Sequence, residues 1–576
     1  MIINRRQLLT AGLKAGAGMV LFDQLSGLRP IFAAATIHQA QPERYAAAYQ
    51  LLDQFIARHM IEVGAPGMTL ALANRDGLLR SSQYGFADLK TGRKVQPATL
   101  FEIGSISKSF VAIALLQLVD EGKLDLNKPV KDYLPWLRVE SSYAPFTTHH
   151  LLSHTAGLSA VPLLLRVAAT TLRVGSEPGT RWVYSNIGYV LLGFLLETLD
   201  KRPFAESMRR RVLDPLGMNQ SVAVISAANR DRFAVGYGPL KLDRPFPPHG
   251  PLAEAPWLDV GEAAGSIAST ANDMSSYLSF LLNHGVGPKG RVLSDKGYDL
   301  LTKPVIKSDF RGEGASYAYG LWVSEKDGHT LLRHTGGMVA FTSAMYADTT
   351  SGFAAFASVN ASLFGSYRPV AVTRYAIELL NAAGAGKDLP SPPPPPPPSD
   401  RVSTAADYAG TFTTTDGGKL ILVSRGEQLL LQHEEVTIAL EPAARDLFFV
   451  NHPDWDTYLL GFTRRENQVT EAFHGSRWWI NAHYAGPKTF TYPAEWDAYA
   501  GHYHSDSPWY GSTRVVIRNG QLLVEGLQPL EQIASGVFRV AGQPVDVDRV
   551  VFDKVINGRA MRANYSGIEF FRSLTP

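Results

Sequence analysis

Seven consecutive prolines, Pro392 to Pro398, constrain the folding of this 576-residue chain more than any other feature. Proline fixes φ near about −65° and donates no backbone N–H. Such a run has no place inside a helix or a central strand. It forms a stiff polyproline II spacer instead. Residues 389–400 are therefore read as a linker between a large region, 36–388, and a tail, 401–576. The competing reading is a ligand for a proline-binding module. The length alone calls for several domains, because a single core stops growing well short of it.

The large region carries strand signals at both ends and helix signals between. Met68 to Ala73 and Leu78 to Tyr84 flank Asp76-Gly77, a hairpin signature. Thr330 to Arg333, Phe341 to Tyr346 and Phe353 to Val359 read as further strands. Between them, Ser107 to Glu121 predicts a helix stopped by Gly122. Its apolar residues fall on nearly every side, as in a helix buried at the centre of a large core. Tyr189 to Leu199 predicts a second buried helix. Thr270, three residues before Asp273, predicts the N-cap of a third. The expected fold is α+β, an antiparallel sheet built from both ends of the region and packed with helices.

The tail reads as duplicated. Tyr408-Ala409-Gly410-Thr411-Phe412 returns as Tyr499-Ala500-Gly501-His502-Tyr503, and each copy leads into short alternating strands. Two small all-β, barrel-like domains are expected, over 401–490 and 491–576. One larger β domain is the alternative.

A net charge of +2 gives no support to nucleic acid as a partner. The absence of cysteine excludes disulfides, thiolate metal sites and cysteine nucleophiles. At the N-terminus, Arg5–Arg6, an apolar Gly/Ala-rich stretch and Ala33-Ala34-Ala35 have the layout of a twin-arginine export signal over 1–35. A periplasmic or secreted location is expected, with no membrane span in the mature form. An N-terminal amphipathic helix or anchor is the competing reading.

Three short motifs carry the chemistry. Ser105-Ile106-Ser107-Lys108 enters the buried helix, and its spacing puts both side chains on one face. A serine there feels the helix dipole and free N–H groups, which suits an oxyanion hole. A lysine in apolar surroundings loses basicity toward the range of a useful base. The bland alternative is a capping serine and a lysine that reaches water. Tyr184-Ser185-Asn186 offers a phenol for proton transfer and an amide for a substrate peptide group. His334-Thr335-Gly336-Gly337 ends a strand whose backbone N–H could meet an oxyanion, with glycines allowing close approach. His149, His150 and His154 include a metal-like spacing, but no Glu follows the first His, and no metal or other cofactor is expected.

Taken in this order, the three motifs resemble the signature of serine β-lactamases and penicillin-binding proteins: Ser-x-x-Lys, then Tyr-x-Asn, then His-x-Gly. The Tyr-x-Asn form resembles the class C branch, with its D,D-carboxypeptidase, D-aminopeptidase and esterase relatives. Phe101 to Gly104, His150 to Leu158, Pro178 to Thr180 and Ala264 to Thr270 are similar to the same branch. The resemblance implies a β-lactamase/transpeptidase-like fold. It implies Ser105 as acylated nucleophile and Lys108 and Tyr184 as the pair that moves its proton. Asn186, His334, Thr335 and Gly336 would contact substrate. The backbone of Ser105 and Gly337 would form the oxyanion hole. His334 replaces the lysine of most β-lactamases, which shifts the expectation toward D-amino-acid peptides or esters as substrate. A promiscuous carboxylesterase, a weak β-lactamase and a catalytically idle binding module remain open. The sequence fixes no oligomeric state.

Overall fold

This computed structural model describes residues 43–159, 171–247, 250–308, 310, 312, 314–363, 367–542 and 547–573. The expected signal segment lies outside them. Among the described residues, no helix is long and apolar enough to cross a membrane.

Contacts divide the chain into two units. The first runs to Gly238 and resumes from Pro251 to Pro395. It is built on a nine-stranded antiparallel sheet. The strand order is Ile306–Lys307, Ser316–Tyr317, Trp322–Lys326, His329–Gly337, Thr342–Asp348, Phe353–Val359, Gly67–Asn74, Gly77–Asp88 and Arg93–Lys94. The late strands thus pair with the earliest ones, Phe353–Val359 lying beside Gly67–Asn74. Gly77 turns the first hairpin at φ +126, a conformation that suits glycine.

The helix Ser107–Asp120 is buried along nearly its whole length. Its all-round apolar surface meets the helices Asn186–Asp200 and Asp295–Thr302. Ala271–Leu282 begins at Thr270, whose side chain accepts the Asp273 N–H at 3.2 Å as expected of an N-cap. This helix lays Met274, Tyr277 and Leu278 into the core shared with Ala71, Ala73 and Phe356.

The second unit holds residues 396–576 together with Pro239–Gly250. It contains two closed eight-stranded barrels. In the first, Gly410–Thr413 closes on Arg477–Ile480. In the second, Gly501–His504 closes on Ile568–Arg572. The repeated Tyr-Ala-Gly segments open the first strand of each barrel. The fourth and fifth strands of each share a register shift, at Pro442/Ala444 and at Gln532/Ala534. A bulge recurring at the same strand pair supports duplication. No change of composition marks residues 239–250 as belonging with the barrels. Their attachment is ionic: Lys241 Nζ and Arg244 Nη1 reach Asp456 at 3.1 and 2.7 Å.

Candidate active site

Ser105 stands in the tight turn Gly104–Ile106 that leads into the buried helix. Gly104 takes φ +54, and a Cβ there would stand 2.8 Å from the backbone nitrogen of Gly337. The end of the strand His329–Gly337 therefore lies directly against the serine turn. At Gly336 a Cβ would stand 1.9 Å from the Ile103 carbonyl oxygen, so only glycine allows this approach. Ser343 Oγ donates to the same carbonyl at 2.8 Å and fixes the junction.

One turn along, Lys108 is fully buried. Its Nζ lies 3.0 Å from Ser105 Oγ, 2.8 Å from Asn186 Oδ1 and 2.7 Å from the Ala264 carbonyl oxygen. It also sits 4.9 Å from the centre of the Tyr184 ring. The Ser-x-x-Lys and Tyr-x-Asn motifs thus meet around one amine. None of its three hydrogen-bond partners is a carboxylate. Burial therefore acts uncompensated and holds the amine well below the usual lysine value of 10.5. Asn186 Oδ1 and the Ala264 carbonyl accept two of its N–H groups, and Ser105 Oγ lies where the third N–H, or the lone pair once the amine is neutral, would meet it.

His334 is buried on the same strand as Gly336 and Gly337. Its Nδ1 donates to the Thr335 carbonyl at 2.8 Å, and its Nε2 meets the Tyr317 hydroxyl at 3.2 Å. Thr335 pairs in register with Ala344 between them.

Two further side chains lie here; Arg368 carries no local sequence signal, whereas Glu102 falls in the family-like stretch Phe101 to Gly104. The guanidinium of Arg368 lies against Gly337, where a Cβ would stand 2.1 Å from Nη2. Glu102, three residues before Ser105, has no cation to offset the burial of its carboxyl, which is pushed up to about 8. Part of that residue still reaches the surface.

The three histidines with metal-like spacing go to different partners. His149 Nδ1 meets the Tyr319 hydroxyl at 2.6 Å, His150 Nδ1 accepts the Thr147 N–H at 3.1 Å, and His154 turns into the core. Another cluster, His433, His452 and Asp454, has ligand atoms within 4.8 Å of one another on the first barrel. There both Nδ1 atoms accept N–H bonds, from Trp455 Nε1 at 3.2 Å and from the Asp454 backbone at 3.3 Å. The remaining protons then sit on Nε2, and His433 Nε2 donates its own to Asp454 at 3.0 Å. Metal ligation would have to break this hydrogen-bonded set.

A model of the Beta-lactamase family matches residues 52–380. The chain belongs to the beta-lactamase family. Among relatives, it is 31% identical over 258 residues to penicillin-binding protein 4 of Amycolatopsis lactamdurans, covering 42% of this chain and 66% of that protein. It is 29% identical over 258 residues to a beta-lactamase of Yersinia enterocolitica, covering 43% of this chain and 61% of that one. The chain thus spans 61 to 66% of the length of these beta-lactamase-family relatives. Among solved structures, the octameric penicillin-binding protein homologue from Pyrococcus abyssi is similar in fold. It covers 75% of this chain and 100% of its own, with a TM-score of 0.53 and 23% identity. The α+β domain followed by two barrels is thus the fold that the sequence predicts.

Proposed function

We propose that the chain is a serine hydrolase that forms an acyl-enzyme at Ser105. The observation that carries this reading is the environment of Lys108: buried, without a carboxylate, 3.0 Å from the serine oxygen. In its neutral form Lys108 takes the Ser105 proton as Oγ attacks a substrate carbonyl. The oxyanion that forms is held by the backbone N–H groups of Ser105 and Gly337, beside the positive end of the helix. Tyr184, packed on the Lys108 amine, passes a proton to the departing amine or alkoxide. Water then attacks the ester at Ser105, with the same pair accepting its proton, and frees the acid and the serine. Asn186, with its oxygen on Lys108, holds the base in place and faces the substrate amide. His334, Thr335 and Gly336 line the strand edge along which an extended substrate would lie.

The substrate class is an amide or ester of a D-amino-acid peptide, the class that the Ser-x-x-Lys, Tyr-x-Asn and His-x-Gly motifs imply. Arg368 beside Gly337 would suit such a peptide when it also carries a free terminal carboxylate. In this reading residues 1–35 direct the folded chain out of the cytoplasm by the twin-arginine route.

The test is a panel of D-alanyl and L-alanyl nitroanilides, nitrophenyl esters and a chromogenic cephalosporin, with Ser105→Ala as control. Turnover of D-alanyl substrates that vanishes in Ser105→Ala is the expected result. Turnover that survives in Ser105→Ala removes the proposal. Hydrolysis of esters alone would narrow it to a carboxylesterase.

A further inference from the structure

His154 brackets Tyr184 from both sides. Its carbonyl oxygen accepts the N–H of Val183 at 2.8 Å, and its Nδ1 accepts the N–H of Ser185 at 3.1 Å. The residues on either side of Tyr184, Val183 and Ser185, are therefore each tied through their N–H to one residue. Its ring lies 4.3 Å from the Tyr184 ring, centre to centre, and 4.9 and 5.1 Å from those of Tyr317 and Tyr189. Its backbone stands at φ +58, a left-handed conformation that histidine tolerates better than most side chains.

The side chain is 2% exposed, and its Nε2 is buried without a hydrogen-bond partner. Since Nδ1 accepts, the proton sits on Nε2 and the imidazole is neutral. Burial, with Lys108 and His334 nearby, keeps it so, well below the usual histidine value. A neutral ring packs Tyr184 without adding a charge beside the Lys108 amine.

We infer that His154 is the positioning residue for Tyr184: it fixes the backbone on both sides of the phenol and the face of its ring, without exchanging a proton itself. This rests on the reading of Ser105, Lys108 and Tyr184 as the reacting set. It also gives a role to the histidine of the His-Thr-Ala-Gly stretch.

The test separates ring, acceptor and fold. His154→Asn keeps a side-chain acceptor at the place of Nδ1 and tolerates the left-handed backbone. His154→Leu keeps bulk and loses the acceptor. Both are compared with the parent for kcat and KM on a nitrophenyl ester. The rate of covalent labelling at Ser105 by a fluorophosphonate is read by intact mass, after circular dichroism confirms the fold. In His154→Leu, kcat and the labelling rate fall about a hundredfold with KM little changed, as expected for a displaced catalytic group. His154→Asn recovers most of the loss. If His154→Leu does not fold, His154→Ala takes its place beside His154→Asn. Labelling at the parent's rate in the Leu or Ala variant overturns the inference. So does His154→Asn performing no better than they do. Undiminished labelling of Ser105→Ala would instead remove the nucleophile reading, and this inference with it.

Discussion

Two cations in different parts of the molecule show opposite solutions to burial. In the first barrel, Arg464 places Nε 2.8 Å from Asp446 Oδ1 and Nη1 3.1 Å from Asp407 Oδ2, with its plane over the Tyr408 ring. Burial raises the Asp446 carboxyl, but the bonds from Arg464 and Tyr408 outweigh it and hold it below the usual value. In the second barrel, Arg562 likewise meets Asp553 and Glu569. Lys108 in the α+β domain has only a hydroxyl, an amide oxygen and a peptide oxygen. The barrels pair their charges, which offsets the cost of removing them from water. The site around Ser105 buries an amine with no countercharge, which costs stability and holds that amine well below the usual lysine value.

Substitutions at the two places should therefore behave differently. The largest effect is expected for Ser105→Ala, which brings ester turnover to the uncatalysed background while leaving the melting temperature near that of the parent. Lys108→Arg follows. Arginine stays protonated in proteins, so kcat falls by about a hundred- to ten-thousandfold, the contribution of a general base. In the parent, turnover should rise with pH through an acid limb at which Lys108 deprotonates, well below 10.5. Stopped-flow or plate-reader pH profiles would show that limb and its loss in the Arg variant.

Lys108→Met sharpens the same contrast through stability. The folded state holds fewer protons at position 108 than the unfolded state at any pH between the lowered value and 10.5. Parent stability therefore rises with pH across that window. Relative to the parent, the Met variant gains most at the acid end, and the gain shrinks as pH approaches 10.5. Thermal melts at a series of pH values measure this difference. In the barrel, Asp446→Asn should cost about 1 kcal/mol in urea unfolding, the worth of a hydrogen-bonded contact, with ester kcat unmoved.

The effect at Glu102 shows only in a pH series. Its carboxyl is raised from 4.5 to about 8, so the folded state keeps a proton that the unfolded state has lost. Stability falls as pH rises across that window. Glu102→Gln should remove this fall in melts between about pH 5 and 8.

Much of the fold was legible because its signals are local. An all-round apolar helix after Ser105, a cap at Thr270 and a turn at Asp76-Gly77 each depend on neighbours within one or two turns of chain. The meeting of Ser105, Lys108 and Tyr184 was legible only from three motifs in order, since spacing alone cannot bring residue 184 to residue 108. Arg368 was not legible. It lies against a strand end at Gly337, and packing rather than pattern puts it there. The place of His154 beside Tyr184 is not legible either, because a left-handed backbone leaves no periodicity to read. Residues 239–250 carry no local signal for the barrels for a related reason: their ionic contacts to Asp456 lie far away in sequence.

In the proposed mechanism, burial without a countercharge turns Lys108 into a base for Ser105. The direct check is the pH dependence of fluorophosphonate labelling at Ser105, followed by intact mass in the parent and in Lys108→Arg. The parent should label faster as pH rises and reach a plateau well before the ordinary lysine range, and the Arg variant should label slowly at every pH. Equal labelling of the two proteins, or a modified residue other than Ser105, would contradict the account.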